Sequence, residues 1–395
     1  MLTDRQLFLN NLAQTSDSPL ALEITKAEGV YLYDSSGKKY MDLISGISVS
    51  NTGHRHPAVV KAIVDQADKY LHLMVYGEYI QSPQVKLAGT LDELLPESLN
   101  NCYFVNSGSE AVEGALKLAK RFTGRKKIVA FVNAYHGSTH GSLSVIGDES
   151  YQIPFGPLLP GVAHIFFNSL AALEAITIET ACVIVEPVQG EAGIIAGSHE
   201  FLQALRKRCT ETGALLIFDE IQTGMGRTGY MFAFEKYNVI PDILLLAKGL
   251  GGGMPIGAFI SSREIMQSLT INPVLGHITT FGGHPVSCAA ALANIGVIIN
   301  EKLIPDVESK SGLIVQLLSK GKAVSQVRAA GLMIALQLDN FDHVKKVIDQ
   351  CIEHGVIIDW FLFNDSSIRI APPLTITEAQ IREACQVILE ALESC

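Results

Sequence analysis

Charge is scarce in this chain of 395 residues. Only 18% of them are Asp, Glu, Lys or Arg, against 48% hydrophobic residues. A disordered chain carries more charge and fewer apolar residues, so a packed globular protein is expected. Cations are the scarcer sign. The chain has 30 Lys and Arg against 40 Asp and Glu, a net charge of −10, with a pI near 5.6. That balance argues against a nucleic-acid partner gripped through its phosphates. Paired cysteines are missing as well. The seven cysteines form no C-x-x-C, which points to reduced, buried thiols in a cytoplasmic protein. The 11 histidines contain no H-E-x-x-H and no tight cluster, so no metal site is expected. A G-x-x-x-x-G-K-[ST] loop and a G-x-S-x-G elbow are also absent.

Uninterrupted apolar runs are short. Mean hydropathy is +0.27, high enough to make membrane spans worth seeking. Tyr151 to Leu173 and Ile265 to Asn300 lack Asp, Glu, Lys and Arg, but Pro, Gly, His and Asn break both. The most apolar part, Val286 to Ile299, falls short of the ~20 residues of a spanning helix. The N-terminus, Met1-Leu-Thr-Asp-Arg-Gln-Leu-Phe8, has no long apolar core of a signal peptide. No membrane partner is expected. The apolar excess is assigned to a large core or a subunit interface.

What the chain does have is alternation. Lys127-Ile-Val-Ala-Phe-Val132, Ala181-Cys-Val-Ile-Val185, Ala214-Leu-Leu-Ile-Phe218 and Asp242-Ile-Leu-Leu-Leu246 read as buried strands. Ser109 to Phe122 and His199 to Thr212 read as helices, with apolar residues three and four apart. Apolar strands alternating with helices predict an α/β fold whose mostly parallel sheet is covered on both faces. Val30–Tyr33 and Lys38–Met41 suggest a hairpin near the N-terminus. Past residue 285, helices mix with short strands such as Met333–Leu338 and Ser367–Ile370. At roughly 150 residues per domain two domains are expected. The boundaries read as 1–45 for the N-terminal part of a small α+β domain, 46–284 for a large domain and 285–395 for the C-terminal part of the small one.

Ligands of open α/β sheets bind beyond the carboxyl ends of the strands. Here those ends carry Tyr135-His-Gly137, Glu186-Pro-Val-Gln-Gly-Glu191, Asp219-Glu-Ile-Gln222 and Lys248. Lys248 stands between Leu244-Leu-Leu-Ala247 and a glycine cluster. A lysine desolvated there would have a lowered pKa, suited to Schiff-base chemistry. Asp219 follows a buried run and needs a charged or hydrogen-bonded partner, for which a protonated pyridine nitrogen is one choice. Ser107 and Glu110 fit a capping box ahead of the first helix. Gly108 and Ser109 would offer a phosphate the free N–H groups of its first turn. Each feature also has a plain structural reading: an exposed lysine, a structural ion pair, an ordinary cap. Gly224-Met-Gly226-Arg-Thr-Gly229 matches G-x-G-x-x-G, but Asp219-Glu-Ile-Gln-Thr223 separates it from its strand, unlike a dinucleotide fingerprint.

Taken together, Gly53-His-Arg-His-Pro57, Asn106-Ser-Gly-Ser-Glu-Ala111, Tyr135-His-Gly137, Glu186 to Glu191, Phe218-Asp-Glu-Ile-Gln-Thr-Gly224, Lys248 and Thr280-Phe-Gly-Gly283 carry a resemblance. From about Pro19 to Leu392 the chain resembles the class III (ω-amino) aminotransferases of pyridoxal-phosphate fold type I. The acetylornithine/ornithine branch is the most similar. The Gly224 to Gly229 stretch belongs to that pattern. The resemblance implies pyridoxal 5′-phosphate as cofactor and assigns roles by position. Lys248 matches the lysine that carries the cofactor and shuttles the proton, and Asp219 the acid that keeps the pyridine nitrogen protonated. Gln222 matches the residue near the phenolic oxygen, and Tyr135 the aromatic that stacks on the ring. His136 and Glu186 belong to the same cofactor-binding set. Gly108 and Ser109 match the phosphate cup. Thr280 matches a threonine that reaches the phosphate of the neighbouring subunit, so a homodimer is implied. Arg369 matches the arginine that grips a substrate carboxylate, and Glu191 the acid that neutralises it by turns. The implied reaction moves an amino group from an ω-amine donor to 2-oxoglutarate, giving glutamate.

The pattern is broken at three places. The family's His-Gly-Arg-Thr is His136-Gly-Ser138-Thr139 here, so Ser138 stands where an arginine helps hold the donor's α-carboxylate. Arg55 and His140 are candidates to compensate. His284 replaces an asparagine, and Val75-Tyr-Gly-Glu78 replaces a more polar stretch near the subunit boundary. The same fold also admits an aminomutase, a racemase, a decarboxylase, a 4-aminobutyrate-type aminotransferase or a binding protein without activity.

Overall fold

The computed structural model describes residues 2–75 and 77–395. Its centre is a sheet of seven strands: β1 (Asn101–Val105), β2 (Lys127–Phe131), β3 (Val162–Ile165), β4 (Thr180–Val185), β5 (Leu215–Asp219), β6 (Ile243–Leu246) and β7 (Gly257–Ser261). They lie in the order β1-β7-β6-β5-β4-β2-β3. β3, β2, β4, β5 and β6 run parallel to one another, and β7 runs antiparallel to both β6 and β1.

The apolar runs follow from burial on both faces. Val183, Val185, Leu216, Phe218, Leu244 and Leu246 pack on one side with Phe201, Leu202 and Leu205 of the helix His199–Thr212. Cys182, Ile184, Leu215, Ile217, Ile243 and Leu245 pack on the other with Ala111, Ala115 and Leu118 of the helix Gly108–Thr123. Alternate residues of one strand thus enter different cores, the period-2 rule applied to a covered sheet.

The four expected strands and two expected helices stand within a residue or two of their predicted bounds. Three strands carry no such signal. β1 and β7 are the antiparallel edge, and β3 hides inside the uncharged stretch from Tyr151 to Leu173. The cap of the first helix also differs from the expectation. Ser107 Oγ does accept from Glu110 N, at 3.2 Å. The Glu110 side chain reaches past the cap residue and accepts from Asn106 N at 2.7 Å and Asn106 Nδ2 at 2.9 Å. The extra link fixes Asn106, which lines the central cavity.

The chain ends meet in a second sheet. Tyr31–Asp34 pairs antiparallel with Lys39–Asp42, as the expected hairpin, and Val356–Ile357 adds parallel to it. A third sheet orders Gln326–Ala329, Ile334–Gln337, Asn364–Ile370 and Asp359–Phe361. The uncharged helix Pro285–Asn300 is largely buried. Among the described residues no helix is long and apolar enough to cross a membrane. All seven cysteines are free thiols, and only Cys395 is exposed. Tyr76, within the unusual stretch from Val75 to Glu78, lies outside the described residues.

Arg227 ties these parts together. Its side chain is fully buried and donates to Leu332 O at 3.2 Å, to Pro372 O and to Asn51 Oδ1. Three segments distant in sequence depend on one guanidinium. Arg227→Leu should lower the free energy of unfolding by about 3–5 kcal/mol, because it leaves buried acceptors without donors. Urea denaturation checks this. Arg227→Lys should recover little, since an ammonium lacks the planar fork.

Candidate active site

A cavity of about 420 Å³ opens beyond the carboxyl ends of β4, β5 and β6. Among the residues expected to bind a cofactor, Gly108, Ser109, Tyr135, His136, Glu186, Asp219, Gln222 and Lys248 all line it. The sheet puts them there, since each follows a strand end or opens the helix behind one.

Lys248 leaves β6 after Ala247 with φ of 39°, the left-handed region that most side chains avoid. Holding a lysine there costs about 1–3 kcal/mol, and such strain collects at functional sites. Burial pushes its amine below the ordinary lysine range. The charges of Glu191 and Asp219 oppose that shift. A lysine with a lowered pKa is a better nucleophile and proton carrier.

Asp219 closes β5 and is 4% exposed. Its Oδ2 lies 2.7 Å from His136 Nδ1, and its Oδ1 accepts from Ile221 N at 3.0 Å. The far nitrogen of that ring, His136 Nε2, is buried without a partner. Glu186 receives Tyr135 N and Gly190 N, both at 3.0 Å, and so fixes the two loops that flank the cavity. Burial pushes its carboxyl up to about 7, with Asp219 adding to the rise and His136 opposing it.

Two glycines allow this crowding. A Cβ on Gly137, whose φ is +119°, would stand 2.1 Å from Ser109 Oγ. A Cβ on Gly190 would stand 2.0 Å from Gln222 Oε1. Ser109 Oγ instead accepts from Ser138 N at 3.3 Å. The first turn of the helix leaves the N–H groups of Gly108 and Ser109 without intrahelical acceptors, as helix starts do. An anionic group fits this corner, and an acid such as Asp219 fits a cationic ring nitrogen.

Arg369 and Glu191 form a separate buried pair beside the cavity. Arg369 Nη2 lies 2.7 Å from Glu191 Oε2 and also donates to Trp360 O at 2.9 Å. The guanidinium rests over the Phe361 ring at 4.7 Å. Glu191 follows Gly190, which packs against Gln222 of the cavity wall, so the pair borders the same space. Ser138 is exposed at the mouth, with its Oγ 3.2 Å from Tyr135 Oη.

Thr280 is not brought to this cavity. It is exposed, on a loop whose Ile278 and Phe281 are exposed too. Its neighbour Thr279 holds that loop to the site by accepting from Asn106 Nδ2 at 3.1 Å. Two acids of the site carry no sequence signal. Glu113 receives Thr139 Oγ1, Gly141 N and Ser142 N, and so shapes the loop after Gly137. Asp359 Oδ1 lies 3.3 Å from Arg369 Nε. Only the hairpin register, which sets Asp359 opposite Arg369, could have pointed to it.

Comparison with known proteins agrees with this geometry. The family described as Aminotransferase class-III matches residues 12–392. An acetylornithine aminotransferase of Methanopyrus kandleri is 39% identical over 99% of both chains. One of Methanocaldococcus jannaschii is 43% identical over 92% of this chain and 91% of its own. The ornithine aminotransferase structure from Toxoplasma gondii superposes with a TM-score of 0.90 at 29% identity, covering 98% of this chain and 92% of the other. The chain belongs to the class III aminotransferases.

Proposed function

We propose that this aminotransferase takes the amino group of an acetylornithine- or ornithine-like ω-amine and delivers it to 2-oxoglutarate, giving glutamate. Pyridoxal 5′-phosphate is the cofactor that fits the cavity. When bound, it supplies an electron sink for the carbanion formed at the donor carbon. Lys248 would hold the cofactor and move the proton at that carbon. Asp219 would keep a proton on the pyridine nitrogen, and His136 orients Asp219. Gln222 and Tyr135, which line the cavity, would hold the cofactor's ring. Glu186 fixes the loop that carries Tyr135. Gly108 and Ser109 take the phosphate.

The observation that carries the reading is the Arg369–Glu191 pair beside the cavity. An ω-amine donor brings no carboxylate to that point, and Glu191 then satisfies Arg369. 2-Oxoglutarate does bring one, and a guanidinium can grip it bidentately once Glu191 moves aside. An aminomutase, racemase or decarboxylase has no second substrate to accommodate. Donor alone should therefore convert the cofactor stoichiometrically, with turnover only after an oxoacid is added. Catalytic turnover on donor alone refutes the reading. Arg369→Lys should raise the KM for 2-oxoglutarate about tenfold or more, the loss of roughly one charge-assisted hydrogen bond. Steady-state kinetics with the donor saturating checks this.

Ser138 favours a second reading of the donor. With no cation at that position, 4-aminobutyrate-type amines that ask for no α-carboxylate grip there are also accommodated. A panel of amines, followed by glutamate formation, separates the two.

The exposed apolar loop around Ile278 and Phe281 supports a homodimer in which Thr280 completes the partner's phosphate site. The free thiols support a cytoplasmic location.

A further inference from the structure

Arg369 meets two carboxylates. Glu191 Oε2 lies 2.7 Å from its Nη2, and Asp359 Oδ1 lies 3.3 Å from its Nε. The two acids are carried differently. Asp359 stands directly across from Arg369 where Asp359–Phe361 pairs with Asn364–Ile370. It moves with Arg369 on one hairpin. Glu191 comes from the loop that follows β4 in the central sheet. It also accepts from Leu362 N at 3.0 Å. Glu191 can be exchanged for a substrate carboxylate, whereas Asp359 stays.

We propose that Asp359 is a specificity-determining residue whose fixed negative charge limits how tightly the Arg369 subsite holds dicarboxylates. This rests on the functional reading above. With all three groups ionised, Arg369, Glu191 and Asp359 sum to a net −1. Exchanging Glu191 for a substrate carboxylate replaces one anion on the guanidinium with another. The repulsion between Asp359 and the incoming carboxylate remains uncancelled, and partial burial strengthens it. The consequence is a site that releases 2-oxoglutarate and glutamate readily and leaves room for donors without a distal carboxylate.

The surroundings of Asp359 add a pH dependence. Arg369 faces it across the hairpin, Glu191 from the central-sheet loop, and Asp42 from the N-terminal hairpin. Asp42 Oδ2 is itself 2.7 Å from His54 Nε2. Burial pushes the Asp359 carboxyl up to about 7. Arg369 opposes the rise, and Glu191 and Asp42 add to it. The folded-state pKa is raised, so the charge is present above neutrality and fades below it.

The test uses cofactor-loaded protein and glutarate, a dicarboxylate that cannot be transaminated. At pH 8, calorimetry should show Asp359→Asn binding glutarate about tenfold more tightly than wild type, as expected for removing one nearby like charge. Its KM for 2-oxoglutarate should fall by a similar factor, while the KM for an amine without a distal carboxylate stays put. Asp359→Glu, which keeps the charge, should bind glutarate as wild type does. Lowering the pH from 8 to 6 should tighten glutarate binding by wild type more than by Asp359→Asn. Damage to the fold weakens binding, so a gain of affinity separates the charge effect from a structural one. Unchanged or weaker glutarate binding by Asp359→Asn overturns the proposal. Wild-type protein that neither binds glutarate nor uses 2-oxoglutarate overturns the functional reading, and this inference with it.

Discussion

Lys248→Ala should abolish turnover, with a loss on the order of 10⁵-fold or more, as for removal of a group that acts in several steps. Two features of the structure lead to this expectation. Among the described residues the amine is the one lysine nitrogen lining the cavity, and burial keeps it below the ordinary lysine range, which makes it readier to give and take a proton. Its backbone is also held in a strained left-handed turn, which fixes where the amine can reach. The visible absorbance of cofactor-loaded protein should vanish or shift in the variant. Stability should not fall, since alanine relieves the desolvation of a charge. Rate measurements over long incubation, the absorbance spectrum and a thermal melt together check the case. Turnover above about 1% of wild type would assign the proton transfer to another group.

Asp219→Asn should lower kcat by about 10³-fold, within the range seen when one electrostatic or proton-holding group is removed from a closed site. Asparagine has nearly the shape of aspartate, so the loss isolates the charge. The carboxylate is buried, and its only side-chain partner at hydrogen-bond distance among the described residues is His136, at 2.7 Å. A neutral amide there cannot hold a proton on the ring nitrogen opposite. The variant should also unfold about 2 kcal/mol more easily, because a charge-assisted hydrogen bond to His136 becomes a neutral one. Single-turnover kinetics and urea denaturation read the two effects separately. A kcat within tenfold of wild type would leave Asp219 a structural role only.

Much of the fold is legible from local pattern. The strands ending at Val185, Asp219 and Leu246 are apolar apart from Thr180 and Asp219 at their ends, because both faces of the sheet are covered. The helix after Ser107 is marked by its cap and its apolar stripe. β7 escapes notice because Gly257-Ala-Phe-Ile-Ser261 is short and has no strand-length apolar run of its own. Its antiparallel course depends on pairing with β1, more than 150 residues earlier, a contact that no local signal records.

The site divides along the same line. Lys248, Asp219, Glu186, Tyr135 and Gly108 were readable because each closes a strand or opens a helix, and the sheet edge brings such positions together. The chemical types were set by the sequence: one lysine among leucines, one acid after a buried strand, two residues fit for a phosphate at a helix start. Tertiary structure decided the partners. It placed His136 on Asp219, carried Arg369 from the C-terminal sheet to Glu191 of the central one, and set Asp359 behind it. Those pairings are made by the register of a hairpin and the packing of one sheet on another. Both depend on contacts between residues far apart in the chain, where a sequence pattern has nothing to repeat.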